Sequence, residues 1–457
     1  MSKKILTLTL SMLFAAAVSP GLAAHDVSAT QQIVVEGYDW GPAVSKIILS
    51  FDAVINADSF TKDSFIVETT VEGMEAPAAR AVADAYLCSA DGNKIDDESG
   101  SLFALEMDVI KGDAAGNPFF YHEWYNEWAD PYNNAISVNG LKSDGADINA
   151  VINPISTSKI MPGVELYDAD QSFTGSDGTT LNYAAYSPAY DGNKHPLVIW
   201  LHGMGEGTTG GGSDIAILGA NLSNLSSEKF QSIMGGAYLL VPQANTYWMD
   251  DGAAPMSMTQ GGTPSIYSTS LWELILDYVD RNPNIDADRI IIGGCSNGGY
   301  MTINMILLHP EHFAAAYPIC APFESRFVSD DMIESVKHVP IRFTNALGDE
   351  VVNPIYSIDI FNRLIDAGSD AAQISLFGPI EDSAGNKGFP SYIQHFSWVF
   401  ALNDSYDKAL EIPANVDYNS PPPVFTIDGS EPAGFTFQLR QPNNQSSLWR
   451  WMAEQSK

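Results

Sequence analysis

The chain is poor in cysteine and in positive charge. Its 457 residues include 3 cysteines, Cys88, Cys295 and Cys320, an odd number too small for a disulfide framework to organise the fold. Lysine and arginine total 22 against 56 aspartates and glutamates, which gives a formal net charge of -34. So acidic a chain disfavours nucleic acids, anionic membranes and polyanionic ligands, and it favours a neutral or weakly charged partner.

Long hydrophobic runs are also scarce. No segment after the N-terminus reaches the roughly 18 uninterrupted apolar residues of a membrane-spanning helix. At the N-terminus, Lys3 and Lys4 precede an apolar run to Val18, and small residues follow up to Ala24. This pattern predicts a secretory signal peptide over residues 1–24, and hence a secreted or periplasmic protein without stable membrane insertion.

Metal-binding patterns are missing as well. His122-Glu123 lacks the second histidine of a zinc-binding helix, and no cluster of Cys and His has metal-ligand spacing. We therefore expect neither a metal nor an organic cofactor. Cys295 and Cys320 both fall near the ends of predicted strands and could be neighbours, although small buried apolar side chains are the simpler interpretation.

Residues 30–152 show short β-like segments separated by turn-rich stretches. This rhythm predicts an all-β domain, a sandwich of the immunoglobulin kind, and none of its segments carries an obvious catalytic set. The segments are 32–36, 44–51, 64–70, 82–88 and 102–110.

From residue 160 to 457, strands alternate with longer helical patterns, which predicts an α/β domain with a mainly parallel sheet. A capping box at Ser270 and Glu273 marks the start of the best helix, and Asn282-Pro283 marks its end. A segment rich in Pro, Asn and Gly near 412–441 reads as an insertion before a last helix. The predicted strands are 180–186, 196–201, 237–241, 289–293, 314–319, 340–345 and 373–377.

The sequence Gly-Cys-Ser-Asn-Gly at residues 294–298 is the strongest chemical signal. An apolar strand pattern precedes it and an apolar helical pattern follows it, as a nucleophile elbow requires, because the sharp turn lifts the serine above the sheet edge. Ser296 is therefore the predicted nucleophile. Cys295 occupies the second position of the pattern, which the turn directs elsewhere.

A serine hydroxyl needs a base, and the histidines that follow Ser296 are His309, His312, His338 and His395. The first two close the helix that leaves the elbow, and His338 precedes a strand, so all three belong on the wrong side of the sheet. His395 follows the last strand and a long loop. It is the predicted general base.

The imidazole in turn needs a carboxylate, which in proteins with such an elbow lies between the serine and the histidine in the chain. Asp349 follows the strand at 340–345 and is the predicted acid. Glu350 is the alternative beside it, and Asp382, after the following strand, is a third.

An oxyanion that develops during acyl transfer requires preorganised N–H donors. One is predicted at Asn297, directly after the nucleophile, and the other at Met204, in the loop after the strand at 196–201. His202, which opens that loop, precedes the serine in the chain and reads as a brace of the loop.

Aromatic residues suggest the walls of a binding site. Trp248 and Tyr247, with Met249, follow a strand at the predicted carboxyl edge and are expected to line the pocket. The aromatic and acidic stretch 119–128 reads either as packing between the domains or as a site for sugar or aryl rings, and packing is favoured.

Several segments together resemble secreted bacterial α/β-hydrolase esterases that carry an immunoglobulin-like N-terminal domain, a group often described as esterases or peptidases. The wider group is similar to polyhydroxybutyrate depolymerases and feruloyl esterases. The resemblance implies the α/β-hydrolase fold and a serine-dependent carboxylic ester hydrolase. The segments are Glu36-Gly-Tyr-Asp-Trp-Gly-Pro-Ala43, 180–183, 196–206, Val241-Pro-Gln243 with Trp248, the elbow, Leu347-Gly-Asp349 and His395-Phe-Ser-Trp398.

The residues and the resemblance predict a secreted serine hydrolase that cleaves a small-molecule or polymer ester through Ser296, His395 and Asp349. Two other functions fit the same chain. One is a serine peptidase of the same fold, because a Ser-His-Asp set does not itself distinguish an ester from an amide. The other is a binding protein on an inactive hydrolase scaffold, with the β-sandwich as its working part.

Overall fold

The computed structural model describes residues 24–122, 124–207, 212–380, 387–388, 393–423 and 431–457, and of 387–388 only the backbone. All but the last residue of the predicted signal peptide, and the alternative acid Asp382, lie outside these ranges. None of the helices within them is long and apolar enough to cross a membrane.

The N-terminal part consists of β-strands. These are β1 (His25–Tyr38), β2 (Gly41–Asn56), β3 (Phe65–Val71), β4 (Ala78–Arg80), β5 (Val82–Leu87), β6 (Ser99–Met107), β7 (Ile110–Lys111), β8 (Phe119–His122), β9 (Tyr125–Trp128), β10 (Tyr132–Val138), β11 (Lys142–Ser143) and β12 (Ala146–Ile160). Most of them join in the order β4-β3-β10-β12-β1-β2-β6-β5, with β11 against β12. The hairpin β8–β9 forms a separate two-stranded sheet.

Alternation of side chains builds the core of this part. In β3, Phe65, Val67, Thr69 and Val71 are buried, whereas Ile66 and Glu68 are exposed on the other face. Phe65 and Val67 share one core with Phe103 of β6, which meets the ring of Phe60 edge-on at 4.7 Å. Each predicted strand overlaps an observed one, but β10 and β12 were not predicted, because most of their side chains remain at least partly exposed.

The C-terminal part contains an eight-stranded sheet. Its strands are β13 (Asp168–Thr174), β14 (Thr180–Tyr186), β15 (His195–Leu201), β16 (Tyr238–Gln243), β17 (Ile285–Cys295), β18 (Ala315–Ile319), β19 (Arg342–Ala346) and β20 (Gln373–Phe377). The order is β13-β14-β16-β15-β17-β18-β19-β20. The pairs β13/β14 and β14/β16 are antiparallel and the others are parallel. This is the mainly parallel sheet that the sequence predicts, with β13 as an additional edge strand.

Helices lie between the strands in the chain and bury the sheet. All seven residues of β15 are buried, as expected of a central parallel strand covered on both faces. The helices are α1 (Asp214–Gly219), α2 (Ser223–Ser226), α3 (Glu228–Met234), α4 (Ser268–Arg281), α5 (Asn297–Leu308), α6 (Asp330–Val336), α7 (Ile355–Asp366), α8 (Trp398–Leu402) and α9 (Leu448–Ala453).

The predicted capping box of α4 is wrong. The helix begins two residues earlier, at Ser268, and its N-cap residue makes no side-chain cap. Ser270 instead donates a hydrogen bond to Asp177 at 2.7 Å, and Glu273 accepts one from the backbone of Ser176 at 2.6 Å. The two polar side chains therefore fasten the turn between β13 and β14 onto the helix.

The segment near 412–441 contains a short antiparallel pair, β22 (Tyr418–Asn419) with β23 (Thr436–Phe437). The chain then returns to the sheet, and α9 packs on α3 with the rings of Trp449 and Phe230 5.1 Å apart. The fully buried Arg342 of β19 holds this return, because its guanidinium donates to the carbonyl of Ser447 at 3.2 Å and lies over the ring of Tyr406.

The N-terminal strands contact the second part around one region. Trp128 of β9 donates to the Asp214 carboxylate of α1 at 3.1 Å, and Asn403 donates to Asp39 at 2.7 Å. β7 pairs in parallel with β21 (Lys387–Gly388), in the segment before His395. The β-domain is thereby attached close to the carboxyl edge of the sheet.

Replacement of Arg342 by Met should destabilise the protein strongly. The substitution removes the buried guanidinium and leaves the carbonyls of Ser446 and Ser447 without their donor, so we expect a loss of about 2–4 kcal/mol in the free energy of unfolding, measured by denaturant titration. Arg440→Met is the matched control, because Arg440 forms an exposed ion pair with Asp366 and its loss should cost under about 1 kcal/mol. Equal effects would contradict the proposed anchoring.

Candidate active site

Ser296 lies at a sharp turn between strand and helix. β17 ends at Cys295, α5 begins at Asn297, and Ser296 between them has φ 52° and ψ -116°. This backbone conformation is rare for a residue with a side chain and is held by the surrounding structure. The Ser296 N–H donates to the carbonyl of Ile319 in β18 at 2.8 Å, which fixes the turn to the neighbouring strand.

The glycines of the elbow are required by the close approach of β15. A Cβ atom at Gly294 would lie 2.2 Å from the carbonyl oxygen of Leu201, and one at Gly298 would lie 1.9 Å from the same oxygen. Neither contact is sterically possible without backbone movement. The two glycines therefore allow the end of β15 to pack closely against the turn.

A chain of hydrogen bonds joins Ser296 to His395 and Asp349. The Ser296 hydroxyl lies 2.8 Å from His395 Nε2, and His395 Nδ1 lies 2.9 Å from Asp349 Oδ2. Asp349 follows β19 and His395 precedes α8, so the three residues meet at the carboxyl edge of the sheet. The arrangement allows the imidazole to take the hydroxyl proton while the carboxylate fixes its tautomer.

The Asp349 carboxylate is itself fixed. Its side chain is inaccessible to solvent, and Oδ1 accepts the backbone N–H groups of Val351 and Val352, each at 2.9 Å. Burial lowers the pKa of His395, but the Asp349 charge raises it, and the net pKa lies well above the ordinary value. The imidazolium form is therefore stabilised in this position.

Glu350 has a different contact from its neighbour. Its carboxylate accepts the backbone N–H of Gln394 at 3.0 Å, directly before His395, and no hydrogen bond to the imidazole is present. Burial, followed by the Asp349 charge, raises the pKa of Glu350. Of the two adjacent acids, Asp349 contacts the histidine ring and Glu350 holds the backbone beside it.

The loop after β15 carries Met204 into the site. Met204 opens a short 3₁₀ turn, Met204–Glu206, and lines the cavity that contains Ser296. His202 braces this loop, as expected: its Nε2 accepts the N–H of Ala244 at 3.0 Å, so its Nδ1 donates to the carbonyl of Gly203. Burial lowers the pKa of His202 to about 4, so the ring is neutral.

A further brace was not predicted from the sequence. Gln243, fully buried at the end of β16, donates from its side-chain amide to the carbonyl of Glu206 at 2.8 Å. The sequence feature that could have indicated this contact is the position of Gln243 at the end of an apolar strand, at the same sheet edge as the elbow.

The predicted role of Trp248 and Tyr247 as pocket walls is wrong. Their exposed fractions are 0% and 2%, and neither lines the cavity at Ser296. The Trp248 ring packs against His202 with centroids 5.0 Å apart, and its backbone N–H donates to the Asn297 side chain. Met249 is buried in the same core. These residues support the loop and the elbow from behind.

The cavity at Ser296 has a volume of about 420 Å³ and lies between the two parts of the chain. The N-terminal part contributes Trp40, Phe119, Tyr121 and the amides of Asn117 and Asn126. The opposite wall comes from the loops of the second part, including Met204, Glu206, His395, Phe396 and Trp398. The stretch 119–128 thus both packs between the domains, through Trp124 and Tyr247, and lines the cavity.

The remaining histidines downstream of the elbow lie elsewhere. His309 caps the end of α5 and stacks on Trp272 with centroids 3.6 Å apart, and His312 meets the same ring edge-on. His338 lies at the surface and pairs with Glu311. None of them reaches Ser296.

The three cysteines are buried and free, so Cys295 and Cys320 do not pair. Burial, followed by the charge of Glu206, raises the pKa of the Cys295 thiol, which keeps it protonated. Cys320 lies beside the histidine, and its Sγ, an Asp349 oxygen and a His395 nitrogen lie within 4.8 Å of one another. The carboxylate and the imidazole of this group are already joined by their hydrogen bond.

Two family descriptions match the chain. Residues 30–153 match the esterase Ig-like N-terminal domain, and residues 188–377 match the phospholipase/carboxylesterase family. A comparison with curated proteins finds no match.

Among solved structures, a thermostable esterase is similar in fold, with a TM-score of 0.64 at 20% identity, covering 82% of this chain and 96% of that one. Est1E from Butyrivibrio proteoclasticus matches with a TM-score of 0.32 at 15% identity, over 46% of this chain and 90% of its own. An S-formylglutathione hydrolase from Agrobacterium tumefaciens matches with a TM-score of 0.35 at 14% identity, over 51% and 91%.

The two family matches coincide with the N-terminal strands β1 to β12 and with the sheet that carries Ser296. The chain therefore joins a domain of the esterase Ig-like N-terminal family to a domain of the phospholipase/carboxylesterase family, and it is a carboxylic ester hydrolase of the α/β-hydrolase fold.

Proposed function

We propose that the chain is a secreted serine esterase in which Ser296, His395 and Asp349 form the catalytic triad. The observation that carries this proposal is the unbroken chain of hydrogen bonds, 2.8 Å and 2.9 Å long, that ends at a hydroxyl facing a cavity. The nucleophile, the base and the acid thus come from three separate loops at one sheet edge.

In this mechanism the Ser296 oxygen attacks the ester carbonyl while His395 Nε2 accepts the hydroxyl proton. The imidazolium then gives this proton to the leaving alcohol, which departs and leaves an acyl group on Ser296. A water molecule, deprotonated by His395, then attacks the acyl carbonyl; as the bond to Ser296 breaks, the imidazolium returns the proton to the Ser296 oxygen and the acid is released. Asp349 holds Nδ1 protonated throughout and stabilises the positive ring.

We assign the oxyanion donors to the backbone N–H groups of Met204 and Asn297. Asn297 is the first residue of α5, so its N–H is one of the helix donors without an intrahelical acceptor. The positive end of the helix dipole favours negative charge at the same place. Met204 faces the cavity on a loop that His202 and Gln243 fix.

The substrate of this site is a small-molecule ester or the end of an ester polymer. A cavity of about 420 Å³ falls in the range of small-ligand sites, and its wall is rich in aromatic side chains. Export is supported by the N-terminal pattern alone, in which two lysines precede an apolar run and small residues. The peptidase alternative uses the same triad, and the substrate assay below separates the two.

Ser296→Ala should remove hydrolysis of short-chain aryl esters, with a loss of at least about 10³ in kcat, because no other hydroxyl lies against His395 Nε2 in the described site. Ser335→Ala, an exposed serine of α6, is the matched control and should retain full activity. Full ester turnover by the Ser296 variant would refute the mechanism. Turnover of peptide anilides but not of esters by the wild-type protein would favour the peptidase.

Asp349→Asn should lower kcat by about 10³–10⁴ and shift the residual activity to lower pH. His395 acts as a base only when neutral, and the carboxylate raises its pKa, so the acid limb of the wild-type profile lies above the ordinary histidine range. Without the carboxylate the pKa falls, and the acid limb moves down with it. Profiles of kcat/KM against pH test this, and an unmoved or raised limb would contradict it.

Tyr121→Ala should raise KM for an aryl ester about fivefold, because the N-terminal domain loses part of the apolar wall that it contributes to the cavity. Tyr190→Ala is a matched control, since Tyr190 is also exposed, 82% against 57%, but lies outside the cavity. Equal KM values in the two variants would show that the β-domain wall does not contact the substrate.

A further inference from the structure

The cavity at Ser296 contains an acidic side chain with no lysine or arginine beside it among the described lining residues. Glu206 is the one carboxylate of Asp or Glu among the described residues that line it, and none of these residues is a lysine or an arginine. The residue is half-buried and lines the cavity. A charge in such a position is unfavourable unless something pairs with it.

Two glycines make room for this carboxyl group. A Cβ atom at Gly203 would lie 2.9 Å from Glu206 Oε2, and one at Gly219 would lie 2.8 Å from Oε1. The carboxyl group also accepts the backbone N–H groups of Gly203 and of Glu206 itself. The two glycines therefore leave space for this carboxyl group beside the loop that reaches Ser296.

Two titratable groups beside Glu206, Tyr121 and Cys295, are neutral near pH 7, whereas His395, which lines the same cavity, has a pKa raised well above its ordinary value. Burial raises the pKa of Tyr121 of β8 and that of Cys295 of β17, and the Glu206 charge adds to both effects. Burial also raises the pKa of Glu206 itself to about 7. A bound cation would favour its ionised form, so the site gains a full charge when a positive ligand arrives.

Aromatic side chains surround the same space. Phe396 and Trp398 lie together with ring centroids 4.4 Å apart, and three aromatic residues of the N-terminal domain face them across the cavity. Aromatic faces attract quaternary ammonium groups, and a nearby carboxylate adds to that attraction. The net charge of -34 raises the local concentration of cations around the whole molecule.

We propose that this cavity selects esters whose alcohol carries a quaternary ammonium group, with the Glu206 carboxylate and the aromatic walls as the cation subsite. The inference rests on the proposed serine esterase function and names its substrate class. It departs from the expectation of a neutral or weakly charged partner, and it agrees with the acidic composition, which disfavours anionic ligands.

The direct test compares acetylcholine with 3,3-dimethylbutyl acetate, its uncharged isostere in which carbon replaces nitrogen. We expect kcat/KM for the cationic ester to be about tenfold higher, and Glu206→Gln, which keeps the shape and a hydrogen-bond acceptor, to bring the ratio of the two substrates close to one. A wild-type ratio of one or less, or an unchanged ratio in the variant, would overturn the proposal.

A binding measurement needs no variant. Tetramethylammonium should inhibit hydrolysis of the neutral ester competitively, whereas neopentyl alcohol at the same concentration should inhibit much less. The inhibition constant of tetramethylammonium should fall as pH rises from about 6 to about 8, because the ionised carboxyl binds the cation. His395 also lines the cavity and titrates in both proteins, so loss of part of this dependence in Glu206→Gln isolates Glu206. Equal inhibition by the two compounds would also overturn the proposal.

Ser296→Ala separates the two levels of inference. If the variant loses activity on the neutral ester while wild type shows no cation preference, the cation subsite fails and the triad stands. If the variant retains activity on both esters, the triad itself fails.

Discussion

The geometry of the site depends on the packing of the turn at Ser296 against the end of β15. The Leu201 carbonyl oxygen lies so close to the turn that a side chain at Gly294 or Gly298 would collide with it. Ser296, between these two glycines, has the unusual backbone conformation of the sharp turn, which directs its hydroxyl out of the sheet. The contact also places the loop after β15 directly beside the start of α5, so the nucleophile and the two assigned oxyanion donors are set by one close approach.

Around this contact, polar side chains support the site from two sides. His202 and Gln243 hold the loop that carries Met204, and Asn297 holds the backbone of Trp248 through its side chain. On the other side, Asp349 orients the imidazole while Glu350 holds the backbone beside it. Because each of these side chains makes a hydrogen bond to a backbone group, the site is preorganised before a substrate enters.

The sequence alone predicts the position of residues that follow predicted strands at the carboxyl edge of the sheet. The predicted strands 180–186 and 373–377 coincide with β14 and β20. Ser296, Asp349 and His395 all follow strands of a parallel sheet, and they meet because the carboxyl ends of these strands share one edge. The direction in which a side chain points is harder to predict than the strand that it follows. Tyr247 and Trp248 follow a strand at that edge, yet they turn inward, because their neighbours provide a buried space that no local pattern reveals.

What could not be predicted depends on contacts between distant segments. Ser270 and Glu273 fit a capping box, but a tertiary contact with the β13–β14 turn takes both side chains. The cavity is formed in the same way, since its aromatic wall comes from a β-domain far from Ser296 in the chain. A β-domain that closes the site can change its shape and charge without altering the triad. We therefore expect selectivity to depend on the boundary of the two domains, and the proposed chemistry to depend on the residues at the edge of the sheet.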